Sequence, residues 1–190
     1  MEPSTLVILG ILAVLVVYFI TLYNALVQLK HNVAKAWANV DVLLKQRHDE
    51  LPKLVETCKQ YMGYEKSALE AIIKARSAVA DARQHTDMKA LGAAETQLRL
   101  GLGNLFALAE AYPELKANDS FQHLQSRITG LEQDIADRRE FYNDSVNLLN
   151  VRIEQFPDLI VARKLGFKAA DLLEFSEAEK ADVNLKSLFS

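Results

Sequence analysis

The fold depends on one stretch of sequence, residues 32–82, which reads NVAKAWANVDVLLKQRHDELPKLVETCKQYMGYEKSALEAIIKARSAVADA. Apolar residues recur in it at alternating intervals of four and three positions. They are Val33, Trp37, Val40, Leu44, Leu51, Leu54, Cys58, Tyr61, Ala68, Ile72, Ala75 and Val79. A period of about 3.5 residues places one narrow apolar stripe along a helix, as in coiled coils and antiparallel bundles. The stretch therefore predicts a single helix, about 75 Å long, that other helices must cover.

Pro52 interrupts this helix, because its ring removes one backbone hydrogen bond. The apolar rhythm keeps its phase across the proline, which favours a kink near residues 48–51 over a loop. Two further amphipathic segments follow, at residues 88–111 and from Asp119 to the residues before Phe156. Leu91, Leu98 and Leu105 stand one heptad apart in the first of them, and Tyr112 continues this spacing just after it. Three long helices joined by short turns predict an all-α, elongated, antiparallel bundle with an additional short helix at its C-terminal end.

An apolar run precedes the bundle. It extends over residues 6–23, which is long enough to cross a bilayer. The residues that we expect in the membrane include Leu6, Val7, Ile8, Leu9, Leu12, Val16, Phe19 and Ile20. A cleaved signal peptide is the alternative, but such peptides begin with basic residues and end with small ones, and this run has neither. We therefore expect an uncleaved, single-pass transmembrane helix that continues into the bundle.

The same features divide the chain into four parts. They are a short tail at residues 1–4, a membrane anchor at 5–23, a helical bundle at 24–168 and a C-terminal tail at 169–190, of which residues 171–190 are expected to be loosely attached. Lys30 and Lys35 follow the anchor closely, whereas the first tail contains neither Lys nor Arg. Positively charged residues that flank a span tend to remain in the cytoplasm. The bundle is therefore expected on the cytoplasmic side.

Neither composition nor motifs indicate a catalytic or cofactor-binding site. A net charge of −3 gives no reason to expect nucleic acid as a partner. The one cysteine, Cys58, lies on the apolar stripe, where a thiol behaves as a small hydrophobe. The four histidines are scattered without the spacing of a metal site, and carboxylate pairs such as Asp134 with Asp137 are typical of a solvated helix face. We expect no enzymatic activity, no cofactor and no metal.

Three charged residues occupy positions on the predicted apolar stripes: Arg47, Glu65 and Arg138. A charge that faces the core is costly unless it has a partner. Counting from the turns, an antiparallel third helix could bring Arg138 near Glu65. Our hypothesis is a Glu65–Arg138 ion pair that fixes the register of the bundle, with a functional polar cluster as the alternative.

The segment 159–168 combines apolar and basic residues, as in a short amphipathic helix. Its notable side chains are Arg163, Lys164, Phe167 and Lys168. The sequence allows two arrangements of this segment. It could fold back to cap the bundle, or it could contact lipid headgroups or another subunit.

Several blocks of the sequence resemble one known family. They are AWANVDVLLKQR at 36–47, LPKLVET at 51–57, REFYN at 139–143, NLLN at 147–150, FP at 156–157 and GF at 166–167. Together they resemble the LemA family of bacterial membrane proteins. The chain departs from that pattern at Glu50 and Lys53, where an apolar residue and Asn are usual, and at Tyr64, where His is usual. The resemblance implies one N-terminal span that carries a helical bundle, with no known catalytic residues.

Some relatives in that family belong to magnetosome membranes, which implies a role in membrane organisation by analogy. The expected function is that of a non-enzymatic scaffold in the bacterial inner membrane that self-associates and organises or shapes the bilayer. The alternative is an adaptor that binds and regulates another membrane protein, such as a protease or a sensor. The expected partners are the lipid bilayer and further copies of the chain.

Overall fold

A computed structural model of the protein describes residues 3–174, and every regular element in that range is an α-helix. The helices are α1 (Pro3–Lys59), α2 (Lys66–His85), α3 (Met88–Ala109), α4 (Pro113–Lys116), α5 (Asp119–Glu154) and α6 (Asp158–Leu165). This confirms the predicted all-α fold. The short helix expected near the C-terminal end of the bundle is α6.

The prediction of a single helix over residues 32–82 is wrong, because the structure divides that stretch into α1 and α2. The break does not lie at Pro52, which is inside α1, but at residues 60–65. This turn contains Gly63, a residue that weakens helices by about 1 kcal/mol relative to alanine. The chain therefore has one more long helix than the sequence pattern suggested.

The continuation of α1 through Pro52 has a local cause. Proline has no N–H group, so the carbonyl of His48, four residues earlier, loses its helical donor. The Nε of Arg76 in α2 donates a hydrogen bond to that carbonyl at 3.0 Å. The side chain of a neighbouring helix thus replaces the hydrogen bond that the proline removes.

The described residues form two compact units. Of the described residues, 3–38 and 140–171 belong to the first unit, and 39–139 and 172–174 belong to the second. Residues 1, 2 and 175–190 lie outside the described range. The last part of the tail predicted at 169–190 therefore falls outside the structure.

In the second unit, α2 runs antiparallel to α1. Arg76 contacts His48, and Arg83 forms an ion pair with Asp41 at 2.5 Å, so residue numbers rise along one helix as they fall along the other. In addition, α3 packs along α2.

The beginning of α5 is also antiparallel to α1 in this unit. Asn118 donates a hydrogen bond to the hydroxyl of Tyr61 at 3.1 Å, and Arg127 donates one to Glu50 at 2.9 Å. Together with α2 and α3, these segments form a four-helix antiparallel bundle. Its buried core includes Val40, Leu44, Leu51, Leu54, Ile72, Val79, Leu91, Leu98, Leu102, Leu105, Ile128 and Ile135.

In the first unit, the second half of α5 and α6 pack on α1 just beyond the apolar run. The core cluster consists of Leu22, Leu26, Leu149, Ile153, Val161 and Ala162. Further along α1, the ring of Trp37 meets that of Tyr142 edge-on, with centroids 5.9 Å apart. The segment 159–168 therefore folds back on α1 through its apolar residues.

The chain that follows α6 is attached more firmly than the sequence suggested. The side chain of Asn150 donates to the carbonyl of Ala170 and accepts from its N–H, both at 2.9 Å. The hydroxyl of Tyr142 donates to the carbonyl of Asp171 at 2.9 Å, and Leu173 is fully buried in the second unit. For residues 171–174, the prediction of a loosely attached tail is therefore wrong.

Candidate functional site

The most strongly polar feature of the second unit is a buried cluster of three charged side chains, supplied by α1, α3 and α5. Arg47 is 1% exposed and Glu95 is fully buried. The two terminal nitrogens of Arg47 donate to different carboxylates, Nη1 to Glu132 at 2.6 Å and Nη2 to Glu95. Arg99 approaches the second oxygen of Glu132 at 3.5 Å. One guanidinium group therefore connects three helices.

Burial and charge act in opposite directions within this cluster. Burial lowers the pKa of Arg47, but the attraction of Glu95 and Glu132 raises it by more, so the arginine stays protonated. Burial raises the pKa of Glu95, and the attraction of Arg47 offsets only part of that rise. The cavity beside Arg47 has no room for a water molecule. The arrangement can hold helices in register, but it offers no space for a substrate.

The structure does not bring the three predicted polar residues together. Arg47 lies in the cluster just described, whereas Arg138 is exposed on α5. Glu65 accepts a hydrogen bond from the hydroxyl of Tyr112 at 3.4 Å. Asn118, next to the start of α5, lies at the same end of the bundle as Tyr61, and Arg138 lies about 30 Å further along that helix. The predicted Glu65–Arg138 contact is therefore wrong.

Cys58 is buried in the core of the second unit. Burial raises the pKa of its thiol to about 11, so the reactive thiolate form is scarce at neutral pH. Between residues 3 and 174, no group of three or more His, Cys, Asp or Glu side chains is placed to hold a metal ion.

The apolar run predicted to cross the membrane forms the first part of α1. By length and composition, α1 is the one helix in the described part of the chain that could cross a membrane, with a mean hydropathy of 2.8 over its most apolar window. All eight of the predicted membrane residues are exposed on its surface: Leu6, Val7, Ile8, Leu9, Leu12, Val16, Phe19 and Ile20. An exposed apolar surface of this length requires an apolar surrounding.

A groove of about 640 Å³ lies in the first unit, directly after this run. We call it the membrane-proximal groove. The residues that line it are Tyr23, Val27, Lys30, His31, Val33, Leu149, Leu165, Gly166, Phe167, Lys168 and Ala170. Phe167 meets Tyr23 edge-on, with ring centroids 6.2 Å apart. Two of the four residues predicted for an interfacial or capping segment, Phe167 and Lys168, thus face the groove, while Arg163 and Lys164 are exposed on α6.

These features define a class of protein: an all-α protein in which one helix has the length and apolarity of a membrane span. The LemA family pattern matches residues 36–186, and the chain belongs to the LemA family. This confirms the resemblance noted in the sequence. The family and its relatives, together with the apolar helix, identify a membrane-associated helical protein.

Three relatives illustrate the breadth of the family. Magnetosome protein MamQ 2 of Paramagnetospirillum magneticum is 32% identical over 101 residues, which cover 53% of this chain and 37% of the relative. Magnetosome protein MamQ of Magnetospirillum gryphiswaldense is 30% identical over the same shares of the two chains. Protein LemA of Metamycoplasma hominis is 24% identical over 189 residues, 98% of this chain and 85% of the relative. The match therefore spans little more than a third of the length of the magnetosome relatives.

Proposed function

We propose that the protein is a non-enzymatic scaffold, anchored in the bacterial inner membrane, that self-associates and organises or shapes the bilayer. The observation that carries this proposal is the continuity of α1. Its apolar run continues without a break into the part of the same helix on which α5 and α6 pack. The membrane helix is thus itself part of a packed unit, as a structural anchor requires. The names of the two magnetosome relatives support a role in membrane organisation.

Self-association requires an uncovered surface, and α5 has one in the first unit. Phe141, Leu148 and Val151 are 54%, 56% and 43% exposed. Spacings of seven and three residues place them on one side of the helix. We call them the α5 stripe. Apolar side chains grouped in this way mark interaction surfaces, and two copies related by a two-fold axis would cover each other's stripe.

The mass of the purified full-length protein in mild detergent tests this proposal. We expect light scattering to give a uniform particle that contains more than one copy. The variant F141D/L148D is expected to reduce it to a monomer, because it places charges in the interface. A matched control is L100D/I73D, which adds the same charges at exposed apolar positions of the second unit. A monomeric wild-type protein would contradict self-association, and recovery of that monomer with another native membrane protein would favour the adaptor function.

We also infer that the helices beyond the span, from residue 24 onward, lie on the cytoplasmic side of the membrane. Lys30 and Lys35 follow the span, and the basic residues Arg163, Lys164 and Lys168 are exposed in the same unit. We expect protease to degrade the part of the protein beyond residue 24 in inverted membrane vesicles and to leave it intact in spheroplasts. Degradation in spheroplasts would place it on the other side.

A further inference from the structure

The membrane-proximal groove combines two cationic side chains with an apolar lining. Lys30 and Lys168 are the cations, and Tyr23, Leu165 and other apolar side chains line the groove beside them. No acidic residue is among the described residues that line the groove. The side chains of Lys30 and Lys168 form no ion pair with any residue in the range 3–174. Among residues 3–174, the groove therefore presents positive charge without an ion-pair partner beside an apolar surface.

The position of the groove along α1 places it at the height of lipid headgroups. From Leu6 to Tyr23 the helix rises about 26 Å, which is close to the thickness of a hydrocarbon layer of about 30 Å. Lys30 lies about 10 Å beyond Tyr23, and a headgroup layer extends about 5–8 Å beyond the hydrocarbon. Because lysine side chains reach back toward the interface, the ammonium groups can meet phosphate at that height.

We propose that this groove is a binding site for an anionic phospholipid. Lys30 and Lys168 bind the phosphate of the headgroup, and Leu165 and Phe167 contact the glycerol and the first carbons of the acyl chains. The charge of the lining selects the ligand, because two lysines in a groove whose described lining contains no carboxylate favour a lipid with net negative charge over a zwitterionic one. The proposal rests on the membrane anchoring proposed above and is independent of self-association.

The test uses the full-length protein in detergent with phosphatidylglycerol or phosphatidylcholine added at matched concentrations. Because a ligand that binds only the folded state raises the unfolding temperature, the dependence of that temperature on lipid concentration gives the affinity. We expect phosphatidylglycerol to stabilise the wild-type protein. We expect K30Q/K168Q to bind it about 30-fold more weakly, which corresponds to about 2 kcal/mol for two interfacial cations.

Two further variants distinguish binding in the groove from nonspecific attraction of the lipid to positive charge elsewhere on the surface. R163Q/K164Q removes the same amount of charge from the exposed surface of α6, and neither residue lines the groove. Its affinity for phosphatidylglycerol is therefore expected to equal that of the wild type. K30R/K168R keeps both cations and is expected to retain binding. Equal losses in K30Q/K168Q and R163Q/K164Q would overturn the proposal, since they would indicate a diffuse surface effect.

Comparison of phosphatidylglycerol with two other ligands tests whether the groove recognises an anionic lipid. Equal stabilisation by phosphatidylcholine would overturn the recognition of a net negative charge. Equal stabilisation by inorganic phosphate at the same concentration would identify a free-phosphate site instead of a lipid site. A wild-type protein that forms the expected particle but does not distinguish phosphatidylglycerol from phosphatidylcholine would contradict this proposal alone. A monomeric wild-type protein that still distinguishes the two lipids would contradict self-association alone.

Discussion

The substitution Arg47→Leu is expected to lower the free energy of unfolding by about 3–5 kcal/mol, because it removes the cation from a buried ion pair. Glu95 has no exposure to solvent, so its carboxylate would remain in the core without the cation that forms its ion pair. Glu132 is less affected, since it is 20% exposed and also lies near Arg99. Denaturant unfolding of the full-length protein in detergent measures the difference.

Two further variants test whether the stranded charge is the cause. The double variant R47L/E95L removes both buried charges, so we expect it to recover most of the loss and to lie within about 1 kcal/mol of the wild type. Arg127→Leu is the matched control, because that arginine is 49% exposed where it pairs with Glu50. It is expected to cost less than about 1 kcal/mol. Equal losses for R47L and R127L would contradict the special role of the buried cluster.

The stability deficit of R47L relative to the wild type is expected to depend on pH. Burial already raises the pKa of Glu95 in the wild-type fold, and loss of Arg47 removes the interaction that opposes this rise. A group whose pKa is higher in the folded than in the unfolded state adds stability below the unfolded value, and that stability is lost as the pH rises through the folded value. The stability deficit of R47L relative to the wild type should therefore be smaller near pH 4 than at pH 7. A deficit that does not change with pH would argue against a stranded carboxylate.

The sequence predicted one member of the buried cluster and missed its partners for a definite reason. Heptad spacing places Arg47 on the apolar stripe, and its side chain is buried. In α3, spacing by sevens picks out Leu91, Leu98 and Leu105, but the helix buries a second row, in which Glu95 precedes Leu102 and Ala109 by seven and fourteen residues. A helix in a four-helix bundle faces two neighbours, so both rows are buried. A bundle of three helices, as predicted from the sequence, required only one buried row of side chains on this helix.

The position of the first turn could not be predicted from periodicity. Tyr61 and Ala68 are separated by one heptad, although the chain reverses direction between them. A turn whose length preserves the heptad spacing leaves the apolar pattern unchanged, so the pattern is the same for one long helix and for a helical hairpin. Pro52 was the more conspicuous helix breaker, yet Arg76 compensates for it from a helix that is distant in sequence. Only Gly63 marked the actual turn.

The substitution Gly92→Ala is expected to displace residues 172–174 from the second unit. An added Cβ at Gly92 would lie 1.9 Å from the carbonyl oxygen of Glu174, a distance that real Cβ contacts essentially never show. Because the obstacle is backbone and not a flexible side chain, the segment must move away from α3. Leu173 is fully buried in this segment, and its exposure would cost about 1.5–3 kcal/mol.

Gly103→Ala provides the matched control, because it makes the same substitution in the same helix where no atom lies within 4 Å of the added Cβ. Alanine forms helices better than glycine, so this control is expected to gain up to about 1 kcal/mol. Limited proteolysis separates the two possible responses to Gly92→Ala. Faster cleavage after residue 171 would show that the segment detaches, as expected. Unchanged cleavage with a stability equal to that of the control would show that 172–174 do not depend on close backbone approach at Gly92.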